Sequence, residues 1–139
     1  MSDNQLYAGF DRLEYPGDHA MQWLWDNANL WWCGFYLAPA TSQQYTGWMD
    51  KYAKLKQIGW GITPIFTGQQ TEQSSPGSSY DLDAWHGQQD AQRAAQLAAQ
   101  AGFPEGSVVY LDIEGGPVEP DLSTYYQAWV AQMLAEGQY

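Results

Sequence analysis

Two carboxylates separated by a single residue close the run Val108 to Glu114, Val-Val-Tyr-Leu-Asp-Ile-Glu. The first four residues suit a strand buried between helices, so the acidic ending needs a chemical reason. Side chains on a strand alternate faces, which puts Asp112 and Glu114 on one side, about 7 Å apart along the strand. In a parallel sheet, ligands and catalytic groups collect at the C-terminal ends of strands. Two like charges held there raise the proton affinity of at least one, so one group can keep a proton while the other is ionised. Leu6 to Asp11, Leu-Tyr-Ala-Gly-Phe-Asp, repeats the pattern of a short apolar run ended by an acid, which makes Asp11 a third candidate. The plainer reading is that Asp112 caps a turn and Glu114 is solvated. Three acids could also serve as oxygen ligands for Mg²⁺ or Ca²⁺. Zinc is disfavoured, because the only two His are remote from these acids in sequence, and no metal or cofactor is assigned.

The elements that must hold these acids follow from pattern and punctuation. Leu6–Asp11 reads as the first strand. Asp18 is the expected N-cap of a helix to Asn27, with Met21, Trp23, Leu24 and Trp25 as its apolar positions. Trp31–Leu37 is a continuous apolar run, hence a strand buried on both faces. Trp48, Tyr52, Leu55 and Ile58 recur at helical spacing, giving a helix from about Gly47 to Gln57. Gly61–Phe66 is a third strand, in which Pro64 predicts an irregularity. Gly87–Ala101, rich in Ala and Gln and closed by Gly102, is a third helix. After the strand at Val108 and a turn over Gly115–Pro120, Asp121 caps a fourth helix, Leu122–Ala135.

Between the third strand and third helix, Thr67–His86 is longer than an ordinary connection. It reads as a recognition loop or a disordered one, with Gln69, Gln70, Tyr80 and Trp85 able to meet a polar ligand. His86 reads as a helix-start residue rather than a base, and His19 as solvated.

Strand and helix thus alternate four times over 139 residues. This alternation predicts an α/β fold with parallel strands and right-handed crossovers. It fits either an open four-stranded sheet or part of a (β/α)₈ barrel, which needs roughly 250 residues for eight units.

Composition narrows the partners. There are 5 Lys and Arg against 16 Asp and Glu, a net charge of -11 with no basic run, so nucleic acid and anionic membrane surfaces are excluded as natural partners. Aromatic residues reach 16%, with 8 Trp and 10 Tyr, more rings than a core of this size needs. The surplus suits protein interfaces and also sugars, whose C–H faces pack on aromatic planes. Cys33, the only cysteine, lies in an apolar run and reads as a buried inert thiol. Met1 to Gln5 shows no basic start followed by an apolar stretch, so no leader is visible. That leaves the cytoplasm, or export by another route, as the expected setting. No window approaches the roughly 18 apolar residues of a membrane helix.

Gly-Phe-Asp at 9–11, Gly-Phe-Tyr-Leu at 34–37, Pro-Ile-Phe-Thr-Gly-Gln-Gln at 64–70, Asp-Ala at 90–91 and Tyr-Leu-Asp-Ile-Glu at 110–114 resemble, in order and spacing, the glycoside-hydrolase-like family once catalogued as domain of unknown function 1906. That family is similar in turn to the family 25 glycoside hydrolases, lysozymes that cut peptidoglycan with a TIM-like barrel. The resemblance spans nearly the whole chain. It implies a single domain over 1–139, TIM-barrel-like with four β/α units, a half-barrel or N-terminal part incomplete at the C-terminus. It also implies hydrolysis of cell-wall glycan, with Glu114 as general acid and Asp112 or Asp11 stabilising the oxocarbenium-like transition state. Tyr36, Phe66, Gln69 and Tyr110 are the residues expected to contact the sugar. The alternative on the same scaffold is a non-catalytic wall-binding module. Because the lysozymes also use later strands, the open edges of strands one and four are expected to need a cover, such as a second copy completing the barrel.

Overall fold

The structure, a computed structural model, describes residues 5–71, 77–114 and 120–138. The order is β1 (Gly9–Phe10), α1 (Asp18–Asn27), β2 (Trp32–Tyr36), α2 (Tyr52–Ile58), β3 (Gly61–Thr67), α3 (Ala84–Ala101), β4 (Tyr110–Asp112) and α4 (Pro120–Ala135). The four strands form one parallel sheet in the order β1-β2-β3-β4. This is the α/β alternation expected, laid out as successive β/α units of a barrel wall. β1, β2 and β4 are shorter than the apolar runs that signalled them, whereas β3 runs one residue past Phe66, to Thr67.

Alternation along the strands divides the sheet into two faces. Cys33, Phe35 and Leu37 of β2 and its continuation, Phe66 of β3 and Val109 beside β4 are buried in one cluster with Met21, Leu55, Leu97, Tyr125, Trp129 and Met133 from the helices. Each large side chain buried there contributes about 1.5–3 kcal/mol, so this helix-covered face carries the stability. Burial pushes the Cys33 thiol up to about 12, so it stays protonated and unreactive. The other face carries Trp32, Tyr36, Thr63, Ile65, Tyr110 and Asp112 around an open cleft. No helix covers it among the described residues, and Tyr110 is 56% exposed.

Several local expectations are corrected. Asp18 is not the N-cap of α1. Gly17 takes that position at φ 100, a backbone conformation that suits glycine. Asp18 lies one residue further on, where its carboxylate accepts from the Tyr15 hydroxyl and pairs with Lys54 of α2. The helix expected from Gly47 begins only at Tyr52, because Gly47–Asp50 form turns first. Helix α3 begins earlier than expected, at Ala84, capped by the Asp83 side chain accepting from the His86 N–H. Pro64 causes no break in β3. Ile65 O accepts from Leu37 N on the β2 side, so Pro64 points its missing donor toward β4, where pairing starts only at Ile65. Positions 115–119 of the turn expected over Gly115–Pro120 lie outside the described residues, as do 72–76 of the long loop and 1–4 of the amino terminus; Pro120 already belongs to α4, so Asp121 stands within its first turn and is not its cap.

Helices α3 and α4 pack unusually close. A Cβ on Gly87 would lie 2.4 Å from the Tyr125 carbonyl oxygen and 3.1 Å from the Ala128 Cβ. This approach explains a glycine inside a helix whose propensity would favour Ala.

Candidate functional site

The three acids come from two strands at opposite edges of the sheet, and parallel topology delivers all of them to the same end. Asp11 directly follows β1, Asp112 ends β4, and Glu114 lies two residues beyond. With Tyr36 and Tyr110 they line a cleft of about 580 Å³, whose remaining wall includes Trp32, Thr63 and Ile65. A smaller adjoining hollow of about 180 Å³ shares Tyr36, Asp112 and Glu114 and adds Leu13, Ser42, Gln43, Thr67, Gln70 and Ser78. Two other depressions bring no carboxylate to their walls: one lies beneath α2 and Pro104, the other is an apolar groove beside α1.

Asp11 is held in place from β2. The Tyr36 hydroxyl donates to its Oδ1 at 3.0 Å. Gly34 makes this approach possible, since a Cβ there would sit 2.6 Å from the Asp11 Cβ. Burial and the neighbouring carboxylates of Asp11, Asp112 and Glu114 all push the Tyr36 hydroxyl upward, so it remains a donor across the working range of pH.

Asp112 is half-buried. Its proton affinity is raised by burial first, then by the charges of Glu114 and Asp11, against a smaller opposing hydrogen bond from Thr67. A native carboxyl with a raised pKa makes its ionised form costly to fold. That cost is absent below the ordinary carboxylate range, grows as pH rises toward the native value, and is complete above it. Asp112→Asn is therefore expected to unfold at higher urea than the parent at pH 7, with the advantage vanishing near pH 3. An equal advantage at both pH values would mean that charge is not its cause.

The other expected site residues divide. Tyr36 and Tyr110 face the cleft, but Phe66 and Gln69 do not. Phe66 lies on the helix-covered side of β3 at 0% exposure, since its parity is opposite to that of Ile65 and Thr67. Gln69 is 2% exposed. Its N–H donates to the Tyr125 hydroxyl at 2.9 Å and its Oε1 accepts from Asp81 N at 2.8 Å, so it is spent inside the protein; Gln70 is likewise buried, but it lines the smaller hollow beside the acids. Tyr80 and Trp85 are exposed but line neither hollow. His86 stays at the start of α3, its ring Nδ1 2.8 Å from Asp83 Oδ2. Among the described residues no three His, Cys, Asp or Glu side chains are grouped closely enough to hold a metal ion.

Sequence reasoning passed over Trp32, Thr67 and Gln43. Trp32 and Thr67 share the parity of Tyr36 and Ile65 on their strands, which is the signal that could have found them. Gln43 is 6% exposed, and neither atom of its carboxamide has a hydrogen-bond partner among the described residues. Only the tertiary fold brings it to the hollow.

A parallel β/α sheet that gathers acids from separate strands at its C-terminal edge has the architecture of a barrel-type, glycoside hydrolase-like domain. The chain belongs to the family of Rv2525c-like, glycoside hydrolase-like domains, whose model matches residues 23–139. Asp112 and Glu114 fall inside the matched stretch, and Asp11 precedes it. Two solved structures share the fold. One is an uncharacterized B. stearothermophilus protein, 20% identical with a TM-score of 0.68 over 96% of this chain. The other is the Mycobacterium tuberculosis Tat-secreted protein Rv2525c in complex with HEPES, 18% identical with a TM-score of 0.62 over 86% of this chain. The alignments span 58% and 60% of those two proteins. No curated protein sequence matches the chain. No helix among the described residues is long and apolar enough to cross a membrane.

Proposed function

We propose that this domain binds a bacterial cell-wall glycan, peptidoglycan, and hydrolyses its glycosidic bonds by acid catalysis. The observation that carries this reading is the meeting of Asp11, Asp112 and Glu114 in one aromatic-walled cleft at the C-terminal end of the sheet. Glu114 is the most exposed of the pair it forms with Asp112, and is assigned the proton given to the leaving oxygen. Asp112, less exposed than Glu114 and on the wall of the same cleft, is its charge partner. Asp11, oriented by the Tyr36 hydroxyl, faces the developing positive charge of an oxocarbenium-like transition state. The rings of Trp32 and Tyr110 offer planes for sugar C–H faces, and the unpaired Gln43 amide supports a ligand rich in hydrogen-bonding groups.

The second reading, a wall-binding module without hydrolysis, is favoured by the openness of the inner face. The experiment that separates them uses purified peptidoglycan sacculi, measuring pelleting of the chain with the wall and release of new reducing ends. Release together with pelleting supports the hydrolase. Pelleting alone leaves the binding module, and neither removes the wall as the ligand.

A further inference from the structure

The Gly68-Gln69-Gln70 run follows β3 beside the acids, and the chemistry proposed above makes no use of it. Its geometry gives it a different task. The β3–β4 ladder runs Ile65 with Tyr110, Phe66 with Leu111 and Thr67 with Asp112, so the next rung would set Gly68 opposite Ile113. The backbone leaves the ladder at Gly68, where a Cβ would lie 2.2 Å from the Tyr125 hydroxyl and 2.7 Å from the Leu111 Cδ1.

The side chain of Gln70 fills the rung. Its Nε2 donates to Asp112 O at 3.0 Å, and its Oε1 accepts from Glu114 N at 2.6 Å. A parallel strand bonds the residues on either side of the one it faces, so this carboxamide stands in for a peptide unit of β3 opposite Ile113. The amide is itself fixed. Gln70 is 2% exposed, its Nε2 also reaches Gly68 O at 3.1 Å, and its own N–H donates to Ser79 O at 2.6 Å across the long loop.

We infer that Gln70 is a positioning residue that extends the strand register of β4 through Glu114, holding its carboxylate on the same face as Asp112 and tying that placement to the loop at Ser79. Strand geometry past Asp112 keeps the two acids on one side of the sheet, and the rung carries that geometry through Glu114. The consequence for catalysis rests on the proposed hydrolase reading, whereas the placement itself does not.

The test measures placement and activity separately. In Gln70→Leu, which keeps the bulk and removes both bonds, hydrogen-exchange protection of the Glu114 amide is expected to fall roughly tenfold, while that of the Phe66 amide is unchanged. The NMR titration of the Asp112 carboxyl should move back toward the ordinary range as Glu114 swings away. Gln70→Glu is the conservative variant, because a protonated carboxyl carries one donor and one acceptor and can rebuild the rung. Its Glu114 protection is expected to return as pH falls below the titration of the introduced acid, and this variant carries the test if Gln70→Leu does not fold. Parent-like protection and titration in Gln70→Leu, or a Gln70→Glu variant indifferent to pH, would overturn the inference. Failure of the parent to release reducing ends would sink the hydrolase reading and leave this result untouched.

Discussion

Glu114→Gln is expected to abolish the release of reducing ends from peptidoglycan, by about 10²- to 10⁴-fold, while leaving the protein bound to the wall. The amide matches the carboxyl in size and keeps hydrogen-bonding capacity, but has no proton to give to a leaving oxygen. Glu114 is exposed at the rim of the cleft, so the substitution removes no core contact and the fold should be unaffected. The measurement is the initial rate of reducing-end release, set beside pelleting with the same sacculi. Unchanged release would show that Glu114 is not the acid. If instead Asp112→Asn loses activity and Glu114→Gln retains it, the two roles are exchanged, a result the raised proton affinity of Asp112 makes chemically reasonable.

Tyr125→Phe should give the largest loss of stability for the removal of one atom. The hydroxyl donates to Asp90 Oδ2 at 2.6 Å and accepts from Gln69 N at 2.9 Å, in a residue with 0% exposure. Phenylalanine leaves a buried carboxylate oxygen and a buried N–H unpaired, each costing about 1–3 kcal/mol. The total expected in urea denaturation is about 2–6 kcal/mol. Among the described residues, Asp90 would keep only the Thr41 hydroxyl, 2.6 Å from its other oxygen. Tyr126→Phe, one residue along and 37% exposed, is the control and should change stability by less than about 0.5 kcal/mol. Equal midpoints for the two variants would mean that the buried hydroxyl contributes nothing.

The contrast between those neighbouring tyrosines shows what the chain discloses by itself. The alternation of strand and helix, the parallel sheet and the acids at strand ends are legible because they depend on local runs and punctuation: apolar stretches of strand length, Gly102 closing α3, and an acid at the end of the first and fourth runs. An aromatic residue beside Gly68-Gln69-Gln70 looks like a ligand contact, but parity along β3 decides the face of Phe66. Thr67 and Ile65 share the cleft face, so Phe66 between them must turn inward. Gln69 and Gln70 look like loop polar residues from sequence, and their true partners lie 56 and 44 residues away. The requirement for glycine at positions 34 and 68 also arises only when distant segments meet. Asp18 was read as a cap because capping is local, whereas its partner Lys54 is 36 residues distant.

The open inner face of the sheet ties occupancy to acidity. Water now reaches one side of the group formed by Asp11, Asp112 and Glu114, and it weakens their mutual repulsion. Whatever covers the face, a glycan or a protein surface, takes that water away. The local dielectric falls, and ionised neighbours become harder to keep. Binding should therefore draw protons from the buffer and tighten as pH falls toward the range in which Asp112 titrates. Calorimetry in two buffers of different ionisation enthalpy reads this uptake directly: heats that differ between the buffers mean that the site closes over a shared proton, and identical heats mean that the carboxylates remain in water when the site is full.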